Sequence, residues 1–192
     1  MRIIAGKYRG RTLASVGKGD IAAHLRPTTD RVRESLFNVL SGGRFGNPIP
    51  GARVLDIFAG TGALGLEALS RGAQFTTFID DGKKAIDLIR QNITLCDART
   101  ETRVLRKDIR HLGPCSGAPY TLIFLDPPYG KKLGEAALKA AIEGDWIAPD
   151  ALIVWEENTA ITPPKTTTML DARTYGSTTI SILKADATPV TP

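Results

Sequence analysis

The sequence has few of the residues that build metal sites or disulfide bonds. It contains two cysteines, Cys96 and Cys115, and two histidines, His24 and His111, among 192 residues. The two cysteines lack the Cys-x-x-Cys spacing of a zinc site, and small disulfide-stabilised secreted domains contain many more. We therefore expect reduced thiols, no metal and a cytoplasmic location.

Long hydrophobic runs are also missing. No apolar stretch approaches the roughly 18 residues that a membrane span requires, and the first residues lack the apolar segment of a signal peptide. With 42% hydrophobic and 23% charged residues, the composition is that of a globular protein. A chain of this length can bury one sizeable core, so we expect one domain with at most a small appendage.

Positive charge is concentrated near the N-terminus. The first 33 residues contain eight Lys and Arg and two Asp, a net charge of +6, whereas the whole chain carries +5. Clustered cations release counterions from a polyanion, so this distribution is typical of nucleic-acid-binding proteins, although a solvated basic tail would have the same composition. The residues predicted to contact RNA are Arg2, Lys7, Arg9, Arg11, Arg26, Arg31 and Arg33.

Residues 1–42 are predicted to form a small extension in front of a main domain at residues 43–192. Apolar residues spaced by Gly6 and Gly10 predict a short hairpin. Capping residues at 27–30 predict a helix that runs to about residue 40, and two glycines end it. Arg31 and Arg33 are predicted to lie off its apolar face, where each could meet a phosphate, a carboxylate or only water.

From residue 53 onward, short apolar strands alternate with helices. Near-continuous apolar runs are typical of strands buried on both faces of a parallel sheet, so the order predicts a doubly wound α/β fold with right-handed crossovers. The last two strands leave no room for a helix between them, which predicts an antiparallel hairpin at the end of the sheet. The predicted strands are 53–58, 75–80, 102–106, 120–126, 151–156, 166–173 and 178–184, and the predicted helices are 64–70, 83–94 and 133–141.

A glycine-rich loop follows the first of these strands. Gly60, Gly62 and Gly65 allow the backbone to approach a ligand at the carboxyl end of the strand, where open α/β sheets bind cofactors. The spacing also matches the dinucleotide fingerprint, and a tight turn alone could explain it. However, Asp56 beside the loop would repel a pyrophosphate and suits a ligand with an ammonium group. The loop and the antiparallel end of the sheet resemble class I methyltransferases, whose Asp-x-Phe-x-Gly-x-Gly segment holds S-adenosylmethionine.

Carboxylates after the next two strands extend the predicted cofactor site. Asp80 ends the second strand and could accept hydrogen bonds from both ribose hydroxyls, although its neighbour Asp81 could do so instead. Asp108 follows the third strand and could meet the adenine amino group or simply cap a helix. The predicted cofactor-binding residues are Asp56, Phe58, Gly60, Thr61, Gly62, Asp80 and Asp108.

The fourth strand delivers a predicted catalytic segment, Asp126, Pro127, Pro128 and Tyr129, to the same edge of the sheet. The exocyclic amino group of a base is a poor nucleophile because its lone pair is delocalised into the ring. Asp126, with an unperturbed pKa of about 3.9, could accept one amino hydrogen, and the Pro127 carbonyl could accept the other. The prolines fix the backbone, and Tyr129 could stack on a flipped base. A plain Pro-Pro turn is the alternative.

Four segments and the Tyr175-Gly176 turn together resemble the bacterial 16S rRNA guanine-N2 methyltransferases that modify guanine 966 of the small ribosomal subunit. The segments are RIIAGKYRGR at 2–11, LRPTTDRVRESLFN at 25–38, LDIFAGTGALGLEAL at 55–69 and DPPY at 126–129, and the second is the most discriminating. The resemblance implies a Rossmann-like class I methyltransferase of seven strands, S-adenosylmethionine as cofactor, rRNA in an assembled or partly assembled small subunit as partner, and a monomer. The chain has Asp80-Asp81-Gly82 where relatives often show Glu-x-Asp.

Two other functions share these residues. An amino methyltransferase for adenine in DNA or in large-subunit rRNA would use the same catalytic groups, although an arm of about 35 residues can read little DNA sequence. A non-catalytic RNA-binding module on a methyltransferase fold would not need Gly60, Gly62, Asp126 and Tyr129 to be intact.

Overall fold

The computed structural model describes residues 1–15 and 30–186, in which strands and helices alternate. The strands are β1 (Arg53–Ile57), β2 (Phe75–Asp80), β3 (Thr102–Arg106), β4 (Tyr120–Leu125), β5 (Ile147–Glu157), β6 (Thr167–Tyr175) and β7 (Thr178–Ala185). The helices are α1 (Asp30–Ser41), α2 (Ala63–Ser70), α3 (Lys83–Cys96) and α4 (Leu133–Glu143), with 3-10 turns at Arg99–Glu101 and Ile109–His111.

All seven strands belong to one sheet with the order β3-β2-β1-β4-β5-β7-β6. The first five strands in this order are parallel, and β7 is antiparallel to both β5 and β6. The predicted fold class is therefore confirmed. The largest boundary error is at β5, which begins at Ile147 rather than at 151. Asp150 has a φ of 60°, and the register between β4 and β5 shifts in this part of the strand, but the strand continues through it.

Alternation along the strands divides the core into two layers. Val54, Phe124 and Val154 point to the face that carries α1, α2 and α3, and Leu55 and Ile153 point to the face that carries α4. Both faces are thus covered, which is why the strands are apolar at nearly every position. Among the described residues, no helix combines the length and apolar character that crossing a bilayer would need.

The N-terminal residues 1–15, which we call the N-terminal arm, pack on the face that carries α1, α2 and α3. Ile3 and Leu13 are buried in that layer. The predicted hairpin is present: Arg2 and Thr12 form a bridge, and the backbone N–H groups of Ile3 and Leu13 donate to the carbonyls of Arg11 and Met1 across it. Other backbone groups of the arm bond to helices. Glu67 of α2 accepts hydrogen bonds from the backbone N–H groups of Ile4, at 2.8 Å, and Ala5, at 3.1 Å.

Arg33 is buried, so the prediction that it lies off the apolar face of α1 was wrong. It lies one helical turn before Phe37, which is fully buried and contacts Phe124 of β4. The Arg33 guanidinium donates hydrogen bonds to the Arg2 carbonyl and to Asp30. The buried face of α1 was predicted from its apolar residues alone. Arg33 is buried although it is charged, because it connects the N-terminal arm to α1. Arg31 is exposed as expected.

Candidate active site

Four carboxyl groups occur at the carboxyl ends of four adjacent strands. The parallel register pairs Ile57 with Ile79, Ile57 with Leu125, and Leu125 with Trp155. Asp80 follows Ile79, Asp126 follows Leu125 and Glu156 follows Trp155. Asp56 lies one position before Ile57. All four fall in the alternation phase of Phe78, Phe124 and Val154, which face α1, α2 and α3. We call Asp80, Asp56, Asp126 and Glu156 the carboxylate row.

The glycine loop between β1 and α2 has a backbone that only small residues adopt readily. Gly60 and Gly62 have φ values of 56° and 76°, in the left-handed region that favours glycine. Phe58 also has a positive φ, 59°, a conformation that in non-glycine residues often accompanies functional sites. The side-chain amide of Asn92 on α3 donates a hydrogen bond to the Thr61 carbonyl at 2.9 Å and so holds the loop from the adjacent helix.

Asp56 stabilises this loop through a buried hydrogen bond. Its carboxylate accepts a hydrogen bond from the Gly65 N–H at 2.9 Å, and the side chain is almost completely buried. Burial raises the pKa of Asp56 to about 8, with a smaller contribution from Asp80 in the same direction and an opposing one from the Gly65 hydrogen bond. Gly65 is itself required, because an added Cβ would lie 2.5 Å from the Phe78 ring. The predicted contact of Asp56 with a ligand ammonium group stays a prediction.

Asp80 connects the loop to the beginning of α3. One carboxylate oxygen accepts a hydrogen bond from Gly60 N–H and the other accepts one from Gly82 N–H, both at 2.9 Å. Burial raises its pKa, and these two hydrogen bonds oppose the shift. Asp81 is exposed at the rim of the adjoining cleft. This cleft is lined by Phe58, Ile79, Asp80, Asp81, Lys107, Asp108, Ile109, Arg110 and Leu133.

Asp108 both lines the cleft and caps a turn. Its carboxylate accepts a hydrogen bond from the Arg110 backbone N–H at 3.0 Å, at the start of the Ile109–His111 turn. The Arg110 guanidinium also donates hydrogen bonds to it, which lowers the pKa of Asp108 to about 2. Asp108 therefore caps the turn, as one of the two predictions for it had it, and it also lines the cleft.

The predicted catalytic segment lies next to the glycine loop. The backbone N–H of Asp126 faces the Ile57 carbonyl at 3.4 Å. Burial raises the pKa of Asp126 well above its usual value, and the neighbouring Glu156 and Asp56 raise it further. The expectation of an ordinary pKa for Asp126 was therefore wrong, because the sequence revealed neither the burial of this side chain nor the carboxyl groups on adjacent strands. Pro127 is buried and Pro128 is half-buried.

Tyr129 is tied to β5 and β7. Its hydroxyl donates a hydrogen bond to Glu156 Oε1 at 2.9 Å and lies 3.2 Å from Thr178 Oγ1. Sequence reasoning missed Glu156 and Thr178. A signal for Glu156 was available, because it ends the apolar run of the fifth strand as Asp80 and Asp126 end those of the second and fourth.

The cations predicted to contact RNA are in different environments. Arg2, Arg9 and Arg31 are exposed. Lys7 forms an ion pair with Glu101 at 2.6 Å, and the guanidinium of Arg11, although exposed, donates a hydrogen bond to the Leu95 carbonyl. Arg33 is buried as described above, and Arg26 and the capping residues 27–29 lie outside the described residues.

Comparisons with known proteins agree with this geometry. The family model described as "Conserved hypothetical protein 95" matches residues 1–184. Two similar relatives are named "Ribosomal RNA small subunit methyltransferase D". The one from Escherichia coli is 38% identical over 81% of this chain and 74% of its own length, and the one from Haemophilus influenzae is 36% identical over 92% and 89%.

Solved structures show the same architecture. The Escherichia coli protein yhhF superposes with a TM-score of 0.83 at 34% identity, covering 98% of this chain and 99% of that one. HI0767 from Haemophilus influenzae gives a TM-score of 0.76 at 31% identity, covering 97% and 98%. The chain therefore belongs to the Conserved hypothetical protein 95 family and has the class I methyltransferase fold.

Proposed function

We propose that the chain transfers a methyl group from S-adenosylmethionine to the exocyclic N2 of a guanine in 16S rRNA of the small ribosomal subunit, with guanine 966 as the target indicated by the family. The observation that carries this proposal is the adjacency of the glycine loop after β1 and the Asp126 segment after β4. A loop that can hold a cofactor and a segment that can hold an amino group meet at the carboxyl edge of the sheet. The names of the relatives support rRNA as the substrate.

The cleft beside the glycine loop suits the adenosine part of this cofactor. Asp80 offers carboxylate oxygens to ribose hydroxyls, and Phe58 and Ile109 offer apolar surface to a flat base. Asp108 lies in the same cleft and could accept a hydrogen bond from an amino group. Asp80 is favoured over Asp81 as the ribose ligand because its carboxylate already contacts Gly60 of the loop. When bound, S-adenosylmethionine supplies an electrophilic methyl group.

The residues after β4 would hold and activate the amino group. Asp126 accepts one amino hydrogen and the Pro127 carbonyl accepts the other, which keeps the nitrogen lone pair directed at the incoming methyl carbon. The nitrogen loses one proton when the new N–C bond forms, and Asp126 would take it up. Hydrogen bonds from the amino group favour the ionised carboxylate, so substrate binding lowers the raised pKa of Asp126. The Tyr129 ring stacks on the base.

The N-terminal residues 1–42 would form the RNA-contacting extension. Their exposed cations include Arg2, Arg9 and Arg31, on the same side of the sheet as the carboxylate row. Phosphate contacts of this kind position a nucleic acid without reading its sequence. They would present the target base to the edge of the sheet at Asp126.

The test is methyl transfer from labelled S-adenosylmethionine to small subunits that lack the modification, with the labelled nucleotide mapped by mass spectrometry. We expect label on the N2 of one guanine in 16S rRNA. Asp126→Asn should lower the transfer rate by about 100-fold or more, because the amide is a weak proton acceptor, while calorimetry should show that cofactor binding is retained. The matched control Asp97→Asn, an exposed carboxyl at the end of α3, should leave the rate unchanged. Label on another base, or full activity of Asp126→Asn, would contradict the proposal.

A further inference from the structure

A second carboxylate stands directly beside the proposed catalytic one. Leu125 and Trp155 are paired in the parallel register of β4 and β5, so the next residues, Asp126 and Glu156, lie side by side. Adjacent strands are about 4.8 Å apart. Glu156 is 7% exposed, and its charge raises the pKa of Asp126. The charge of Glu156 therefore disfavours ionisation of Asp126.

Glu156 also contacts the tyrosine that is proposed to stack on the base. The Tyr129 hydroxyl donates to Glu156 Oε1 at 2.9 Å. A base lying on the Tyr129 ring would therefore have one edge near Glu156 while its amino group is held at Asp126. A glutamine at position 156 could accept the same tyrosine hydrogen bond without the repulsion from Asp126, so fixing the ring does not by itself require a carboxylate.

Two adjacent carboxylates match the donor pattern of guanine. Guanine presents the N1–H and the N2 amino group as neighbouring donors on one edge. Adenine presents an acceptor at N1 next to its N6 amino group, and 2-aminopurine presents an acceptor at N1 next to its N2 amino group. A carboxylate facing an acceptor would be left without a donor and would repel it, which is how a polar site rejects a near-identical ligand.

We propose that Glu156 determines base specificity: its carboxylate accepts the N1–H of the target guanine while Asp126 holds the N2 amino group. This inference rests on the proposed function and specifies how the same site selects its substrate. Binding guanine then supplies one donor to each carboxylate and relieves the repulsion between them. An adenine in the same position would leave Glu156 opposed to a lone pair.

The test compares guanine with 2-aminopurine, which keeps the 2-amino group but has no N1–H. Small subunits are reconstituted with either base at the mapped target position, and kcat/KM is measured for the wild type, Glu156→Gln and Tyr129→Phe. The wild type should prefer guanine by at least about 100-fold. Glu156→Gln should reduce this preference to less than about 10-fold, because its amide can either accept from or donate to N1. Tyr129→Phe, which lacks only the hydroxyl, should keep the wild-type preference whatever happens to its rate.

The outcomes separate specificity from positioning. If Glu156 only positions Tyr129, then Glu156→Gln and Tyr129→Phe will lower kcat/KM equally for both bases and the guanine preference will persist, which would overturn the inference. A wild type that methylates 2-aminopurine as well as guanine would overturn it without any variant, even if Glu156→Gln failed to fold. If the wild type still methylates guanine, either of these two results contradicts only the role of Glu156, and the proposed function stands. If the wild type labels no guanine, both the proposed function and the role of Glu156 are overturned.

Discussion

A buried carboxyl group such as that of Asp56 makes the stability of the chain depend on pH. The pKa of Asp56 is about 8 in the folded chain, against about 3.9 for an unperturbed aspartate. Between these values the folded state keeps a proton that the unfolded state has lost, so the stability contributed by this group is complete below about pH 4 and is lost as the pH rises to about 8. Asp126, whose pKa is also raised, acts in the same direction.

We predict that Asp56→Asn reduces this pH dependence. An asparagine can still accept the Gly65 hydrogen bond but does not ionise, so the decrease in Tm between pH 5 and pH 8 should be smaller in the variant than in the wild type. Thermal unfolding at several pH values measures this difference. Glu135→Gln, which changes an exposed carboxyl on α4, should behave as the wild type. Equal pH dependence in Asp56→Asn and the wild type would show that Asp56 does not carry the raised pKa.

Single residues show what the sequence could and could not predict. Asp80 and Asp126 were placed correctly at strand ends because an acid that follows an apolar run marks the carboxyl edge of a parallel sheet. The raised pKa of Asp126 could not be predicted, since it depends first on burial and then on Glu156 and Asp56, which lie on adjacent strands. Arg33 was misplaced for a similar reason, because its carbonyl partner, Arg2, is distant in sequence.

Elements of the main domain and the hairpin of the N-terminal arm followed from their patterns, whereas the attachment of the arm to the helices did not. Apolar runs separated by helical segments predict a parallel sheet with little ambiguity. Besides its buried Ile3 and Leu13, the arm is fixed by polar side chains of the helices on which it packs. Ser70 Oγ accepts a hydrogen bond from Tyr8 N–H, and Asn92 bonds both backbone groups of Ala14. Such anchors leave no periodic signal in the arm's own sequence.

We predict that Gly6→Ala displaces the arm and that Gly10→Ala does not. Both glycines have φ near 80°, so alanine is strained at each by about 1 kcal/mol or more. A Cβ at Gly6 would lie 1.7 Å from the Ser70 carbonyl oxygen, whereas a Cβ at Gly10 would meet no atom within 4 Å. Gly6→Ala should therefore lower the Tm more than Gly10→Ala and accelerate tryptic cleavage in the arm. Equal cleavage rates in the two variants would contradict this close approach.

At the scale of the whole molecule, the exposed cations of the N-terminal arm and α1 lie on the same side of the sheet as the carboxylate row. The arm and α1 cover the face on which the carboxylate row lies, and they carry exposed cations such as Arg9 and Arg31. The acidic row would repel an RNA backbone if it met the phosphates alone. Cations of the arm and α1 on the same face supply the attraction, and neutral donors on the target base then reach the carboxylates. The affinity for RNA should thus depend on salt, while the choice of base should not.

We predict that replacing Arg9 and Arg31 together by glutamine weakens binding to the small subunit and makes it less dependent on salt. For each phosphate that the variant no longer neutralises, the slope of log K against log salt concentration should fall by roughly 0.7 to 0.9, so the slope of the double variant should be smaller by up to about 2. Lys139→Gln with Arg103→Gln removes the same charge from α4 and from the exposed β3 position that alternates in phase with Leu105, on the face that carries α4, and should leave the slope unchanged. Equal changes in both double variants would show that net charge, and not the placement of the cations on the arm and α1, controls the encounter with rRNA.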